Sequence, residues 1–290
     1  MDMYFTKMQG CGNDYIYVDG AKEHITQAEK PDIVRRLSDR HFGIGGDGVI
    51  FINPADDADF EMEMYNADGS RSEMCGNGIR CVAKYVYDKG LTDKTDLVIV
   101  SGGKPKYIHI HEKNGKAERI RVNMGSPILE PKLVPVDPSK LDEAPNAGSE
   151  ALVNTPLTVL GKTYGMTFVS MGNPHAVTFV DDVKGLDLPA IGPSFENHVC
   201  FPNRTNTEFV RVMDRKNIEM RVWERGTGET LACGTGCCAC GVACVLNGLT
   251  DESITVHVLG GEIEITWDRG ENVVYMTGPA VTVFEGEVKI

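Results

Sequence analysis

Residues 74–91 read MCGNGIRCVAKYVYDKGL, and residues 232–249 read ACGTGCCACGVACVLNGL. Both follow one frame: Cys-Gly-x-Gly, an apolar helical run, then Gly-Leu. Cys75 falls on Cys233, Gly76 on Gly234, Gly78 on Gly236, Gly90 on Gly248 and Leu91 on Leu249, all at an offset of 158 residues. A glycine turn that opens a helix leaves backbone N–H groups free at the helix N-terminus, and each copy places a thiol there. The duplication reaches further. At the same offset Glu61-Met62 falls on Glu219-Met220, Tyr65 on Trp223 and Asn66 on Glu224, and Gly12-Asn13 falls near Gly172-Asn173 after a two-residue slip. A unit on the order of a hundred residues is too long for a solenoid repeat. The pattern predicts two like α+β domains related by a pseudo-twofold, with a site between them, where pockets favour domain interfaces.

Composition bounds the partners. The chain has 290 residues, a net charge of −13 and a sequence pI near 5.0. Nucleic acid is disfavoured, because neutralising phosphates needs a basic face. The N-terminal MDMYFTKMQG lacks a basic region leading into an apolar one, so no signal peptide is expected. No apolar run approaches the roughly 18 residues of a membrane helix. Nine cysteines without an export signal point to free thiols in a reducing cytoplasm rather than a disulfide framework.

Along the chain, residues 4–19 read as strand, glycine turn and strand, and residues 27–41 as a helix with Arg35, Arg36 and Arg40 at its far end. A glycine-dense loop (Gly43, Gly45, Gly46, Gly48) precedes strands at 49–52 and 60–66. The first Cys-Gly-x-Gly helix ends at Gly90, and strands follow at 97–101, 107–111 and 118–123. Residues 131–150 read as a linker with loops. The order then repeats: strands at 164–171 and 176–180, a hairpin of 209–213 and 218–224, the second helix, and strands to the end.

The chemistry is read from the two thiols. The positive end of a helix lowers a thiol's pKa and can hold a carboxylate. Two such turns facing one cleft suit removal of an α-proton from an amino acid by one thiolate and delivery of a proton to the opposite face by the other thiol. Duplication of both cysteines in one register argues against small buried apolar residues. Cys237, Cys240 and Cys244 recur at helical spacing as a core stripe, and Cys81 and Cys200 read as structural. Zinc is the rival for this dense cluster, but the spacing matches no pair of CxxC motifs and no histidine cluster accompanies it. Cys11, beside Asn13, could line the site. His175 sits in a turn that pairs with the Gly12-Asn13 turn. Asn66 in one copy stands at the place of Glu224-Arg225 in the other, an asymmetric lining in which Arg225 is the fork for a second carboxylate. The run HFGIGGDG lacks the Lys-Ser/Thr of a P-loop and precedes a strand, so it is weak evidence for phosphate.

At NADGSRSEMCGNGIR (residues 66–80) the chain resembles the diaminopimelate epimerase family, and GCGNDY, RHFGIGGDG, MGNPHAV, RTNTEF and WERGTGETLACGTG fit the same pattern in order. The resemblance covers nearly the whole chain; proline racemases share the two-thiol plan but resemble it less in these turns. It implies interconversion of L,L- and meso-diaminopimelate without pyridoxal phosphate or metal, in lysine and cell-wall precursor synthesis. It implies Cys75 and Cys233 as base and acid. Gly76, Asn77, Gly234 and Thr235 match positions whose backbone N–H groups hold the reacting carboxylate. Asn13, Asn66, Asn173, Asn206, Glu224 and Arg225 match substrate-binding positions, with His175 and Glu224 assisting proton handling. It also implies a cytoplasmic homodimer of two halves, each a mostly antiparallel sheet wrapped around a central helix, with residues 1–127 and 279–290 in one half and 128–278 in the other. One departure stands out: Gly48 occupies a place where some members carry a substrate-contacting glutamine. The rivals are another cofactor-independent amino-acid racemase on the same fold and a redox protein that pairs the cysteines.

Overall fold

The computed structural model describes residues 2–72, 75–143 and 150–290. Glu73 and Met74, within the NADGSRSEMCGNGIR run, and residues 144–149, within the expected linker, lie outside the described residues. The chain divides into two units, Met1–Asn123 with Thr277–Ile290, and Met124–Met276.

In the first unit β1 (Asp2–Gly10) and β2 (Asn13–Asp19) form a hairpin. Helix α1 (Lys30–Ser38) then returns the chain so that β3 (Gly48–Asn53) lies parallel to β2. β4 (Phe60–Asn66) pairs antiparallel with β3 and with the short β5 (Arg71–Ser72). After helix α2 (Gly76–Asp88), β6 (Asp96–Ser101) lies parallel to β4, and β7 (Lys104–Lys113) and β8 (Lys116–Asn123) extend it as antiparallel neighbours.

The second unit follows the same itinerary. β9 (Thr155–Val159), β10 (Lys162–Ser170) and β11 (Pro174–Phe179) are antiparallel neighbours. Helix α3 (Leu188–Glu196) leads to β12 (Asn206–Asp214), parallel to β11. β13 (Asn217–Glu224) pairs with β12 and with β14 (Gly228–Glu229). After helix α4 (Gly234–Leu246) come β15 (Ser253–Val258), parallel to β13, then β16 (Gly261–Asp268) and β17 (Val273–Pro279). The last strand, β18 (Val281–Lys289), pairs antiparallel with β1, the place that β9 holds beside β10. The registers also repeat: Val49 opposes Tyr65 as Thr207 opposes Trp223, and Ile16 aligns with Val49 as Ala176 aligns with Thr207. This is the α+β architecture of two like sheet-and-helix units that the duplicated frame predicts.

Each unit is organised on its Cys-Gly-x-Gly helix. In α4 every residue from Gly236 to Cys244 is buried, and in α2 all but one from Asn77 to Val86. A helix that is apolar all round belongs inside a core. The cysteines at 237, 238, 240 and 244 serve there as small apolar side chains. The shared Gly-Leu closes both helices. Gly90 and Gly248 adopt left-handed φ values of 70° and 69°, and the amides of Leu91 and Leu249 reach back to the carbonyls of Val86 and Cys244. This Schellman closure satisfies the last carbonyls and favours glycine at that position.

Three segments differ from their sequence reading. The helix expected over 27–41 is shorter, because the Asp39 carboxylate accepts from the amides of His41 and Phe42 and turns the chain, freeing Arg40 from the helix. Residues 131–143 are not an open linker: Val134, Val136 and Leu141 are buried in the second unit's core with Leu152 and Phe195. Helix α3 was not anticipated, since Pro189, Gly192 and Pro193 disguise it; buried Leu188 and Phe195 anchor it.

Ile265 of β16 lies with its Cγ2 against α4 at Gly241 and is wholly buried. Ile265→Ala should lower stability by about 2–5 kcal/mol. The measurement is urea unfolding, with a lower midpoint and an unchanged m-value expected.

Candidate active site

In the first unit the Cys75 side chain caps α2. Its sulfur accepts the Gly78 amide at 3.2 Å, and its thiol donates to Asn13 Oδ1 at 3.0 Å. Asn13 is oriented from behind, because its Nδ2 donates to Asp47 Oδ2 at 2.6 Å. Asp47 and Asp14 are bridged by Arg40, with contacts of 2.9 and 2.7 Å, and Lys7 Nζ lies 2.5 Å from Asp14. Burial pushes the Asp14 carboxyl up, but its bonds to Arg40 and Lys7 outweigh that and hold it below its ordinary value. Arg40 and Asp47 of the RHFGIGGDG run thus clamp Asn13 from behind. Gly76 and Asn77 occupy the first turn of α2, with Asn77 buried. Asn66, at the end of β4, donates from Nδ2 to Ser70 Oγ at 3.0 Å.

The second unit repeats the backbone but not the lining. Cys233 occupies the N-cap position of α4 without a capping bond from its side chain, is buried, and lies 3.5 Å from Thr235 Oγ1, with Gly234 and Thr235 in the first helical turn. Burial, then the neighbouring Glu224 and Glu208 carboxylates, push its thiol well above the ordinary value. Glu224 is itself pushed up by burial, partly opposed by hydrogen bonds from Thr230 and Cys233 and by His175. His175 is fully buried; Nδ1 lies 2.6 Å from Glu208 Oε1 and Nε2 3.0 Å from Asn173 Oδ1. Cys233, Glu224, His175, Asn173 and Glu208 therefore form one cluster within this unit.

Asn206 and Arg225 are linked through the backbone. Asn206 donates to the Pro174 carbonyl at 2.7 Å and accepts the Arg225 amide at 2.9 Å, so its side chain ties β11 to the turn after β13. The exposed Arg225 guanidinium donates to the Asn203 carbonyl at 3.1 Å. Glu196 of α3 braces the same turn, accepting from the Gly226 amide, Arg204 and the Trp223 indole. The sequence reading missed Glu196, Thr230, Asp47 and Glu208. Glu208 had a signal: it falls on Ile50 at the offset of the repeat, a carboxylate where the other copy is apolar.

Two further positions resolve locally. A Cβ on Gly48 would come within 1.9 Å of the Tyr65 carbonyl oxygen, so no side chain fits there on this backbone. Cys11 is buried, with its sulfur 3.8 Å from Arg80 Nη2 and its thiol pushed up by that burial.

Residues 5–130 and 167–283 match the family model described as diaminopimelate epimerase. The diaminopimelate epimerase of Agathobacter rectalis is 52% identical over 288 residues, covering 99% of this chain and 100% of the relative. That of Acetivibrio thermocellus is 50% identical over 289 residues, covering 99% of each. Among solved structures, a Bacillus anthracis phenazine biosynthesis protein of the PhzF family superposes with a TM-score of 0.70 at 17% identity, covering 100% of both chains. A hydroxyproline epimerase from Agrobacterium vitis, solved with trans-4-hydroxy-L-proline bound, gives 0.66 at 12% identity, covering 99% of this chain and 91% of that one. At such identities these structures speak for the fold.

The Glu224 carboxyl has a stability signature. Its pKa in the folded chain lies above its unfolded value. Below the unfolded value both states are protonated; as pH rises through the folded value the native state must carry a buried charge and loses stability. Glu224→Gln should therefore raise stability at pH 7 by about 0.5–2 kcal/mol. In urea unfolding across pH the gain should vanish near pH 4; an equal gain at both pH values would contradict this account.

Proposed function

The chain belongs to the diaminopimelate epimerase family, and from that premise we propose that it interconverts L,L- and meso-diaminopimelate through two thiols. The observation that carries the reading is a cysteine at the N-cap position of the buried central helix of each unit, with backbone N–H groups behind it. A thiolate takes the α-proton of the substrate as a base, and the second thiol delivers its own proton to the opposite face of the same carbon. One S–H bond forms, one breaks, and no electrons change hands. The thiols exchange protonation states with each turnover. Cys75 and Cys233 are the two acid–base groups, and either serves as base depending on the direction of reaction.

The charge that builds on the substrate carboxylate falls to the amides of Gly76 and Asn77 at one helix end and Gly234 and Thr235 at the other. Asn13, Asn66, Asn173, Asn206 and Glu224 hold the polar groups of the substrate, and Arg225 takes the distal carboxylate as a bidentate fork. His175 and Glu224 serve proton handling beside Cys233. With the carboxylate neutralised by N–H groups and the protons carried by sulfur, the reaction as written calls on neither pyridoxal phosphate nor a metal. No helix among the described residues is long and apolar enough to cross a membrane. Action in the cytoplasm, on a pathway to lysine and cell-wall precursors, completes the reading.

The chain also acts as a homodimer under this reading. Support comes from the first unit, where Val283, Phe284 and Val281 on β18 and Tyr4 on β1 are exposed. Apolar side chains grouped in this way suit a self-complementary contact. Sedimentation at micromolar concentration should give a dimer that Val283→Lys weakens; a monomer of the parent chain would remove the idea.

Incubation with L,L-diaminopimelate in deuterated water should place solvent deuterium on the α-carbon of the meso product. Cys75→Ala and Cys233→Ala should each lower kcat by about 10²–10⁴-fold. Undiminished epimerisation in both variants, or exchange seen with proline alone, would overturn the assignment.

A further inference from the structure

Glu208 lies on β12 with its side chain wholly buried. Oε1 meets His175 Nδ1 at 2.6 Å, and Oε2 has no hydrogen-bond partner among the described residues. A buried carboxylate left half satisfied disfavours folding, and an apolar side chain would be the stable choice. The repeat makes that choice in the first unit. Ile50 stands at the equivalent place, with its Cδ1 2.9 Å from where a Cβ on Gly78 would fall; Glu208 Oε1 lies 2.7 Å from where a Cβ on Gly236 would fall. The two glycines make the same room, and only the second unit fills it with a charge-bearing group.

The consequence passes along two hydrogen bonds. Asn173 Oδ1 can only accept, so His175 Nε2, 3.0 Å away, must carry a hydrogen. Nδ1 meets Glu208 Oε1 at 2.6 Å, so a proton lies on that contact as well, and the ring is held at both ends. Asn173 is then held with its oxygen toward His175 and its NH2 group unpartnered among the described residues. We propose that Glu208 is a positioning residue that, through His175, sets the Asn173 amide as a hydrogen-bond donor to a substrate oxygen. The proposal rests on the reading of Asn173 as a substrate-binding residue given above.

Two variants of the full chain separate positioning from core filling. Glu208→Gln keeps the size and can donate its amide to Nδ1; Glu208→Ile copies the first unit and removes the partner. The readouts are ¹⁵N signals of labelled His175, and kcat and KM in both directions. Glu208→Ile should lose the fixed Nε2–H form of His175 and raise KM for diaminopimelate about tenfold or more, with a smaller change in kcat. Glu208→Gln, whose amide donates to Nδ1, should keep the Nε2–H signal of His175 and a KM within about threefold of the parent's. Loss of the Nε2–H signal in Glu208→Gln, or parent-like His175 signals and KM in Glu208→Ile, would overturn the proposal. Should the parent chain not turn over diaminopimelate at all, the substrate reading fails, while the ¹⁵N signature still decides the Glu208 assignment.

Discussion

A helix surrounded on all sides by its own sheet meets the rest of the world only at its ends, and everything else in this protein follows from having two of them. The flanks of α2 and α4 are committed to packing. Their C-terminal carbonyls are closed by the left-handed glycines and the amides of Leu91 and Leu249. That leaves the N-terminal amides, which no intrahelical carbonyl can reach. The residue at that end decides what the amides are for. A serine or aspartate would satisfy them and end the matter. A cysteine satisfies them weakly, as Cys75 does, or leaves them open, as Cys233 does, and brings a nucleophilic, titratable atom to the positive end of the helix.

The two units share a backbone plan and diverge in charge. Strand registers repeat, and so do the glycine closures at the helix C-termini, but the Cys75 sulfur caps α2 while the Cys233 side chain makes no such bond to α4. Yet Tyr15, Ile50 and Asn66 in the first unit stand where His175, Glu208 and Glu224 stand in the second. Buried ionisable groups are a poor choice for stability, and three of them around one thiol run against the economy of the other copy. Local rules are broken mainly where chemistry requires it. The asymmetry fits the proposed reaction, whose two thiols start each turnover in opposite protonation states, since identical surroundings would give no preference for one arrangement over the other.

Much of this was legible in the sequence. The offset of the two Cys-Gly-x-Gly frames predicted like units, and the Gly-Leu pair marked where each helix closes. Asn66 against Glu224 already betrayed the asymmetry. What escaped had physical causes. Helix α3 is held by Leu188 and Phe195 despite two prolines and a glycine, so tertiary packing overrode propensity. Residues 131–143 looked polar and proline-rich, but spaced Val134, Val136 and Leu141 are enough to seat the segment on a core. Glu208 and Asp47 were invisible as site residues because their partners, His175 and Asn13, are more than 30 positions away, at separations of 33 and 34. Strand pairing, not sequence spacing, brings them together.

Asparagine side chains show the same division at finer grain. An amide has a donor end and an acceptor end, and a neighbour that fixes one end fixes the other. Asp47 takes the NH2 of Asn13, so its oxygen is turned to the Cys75 sulfur. His175 takes the oxygen of Asn173, so its NH2 is turned outward. Two asparagines equivalent in the repeat thus present opposite polarity. The means differ as well. Asp47 is part of a half-exposed network with Arg40, which solvent and salt can screen, whereas His175 and Glu208 are sealed from water and feel little screening. A duplicated backbone supplied two copies of one amide, and the charge placed behind each copy decided whether it would offer a donor or an acceptor.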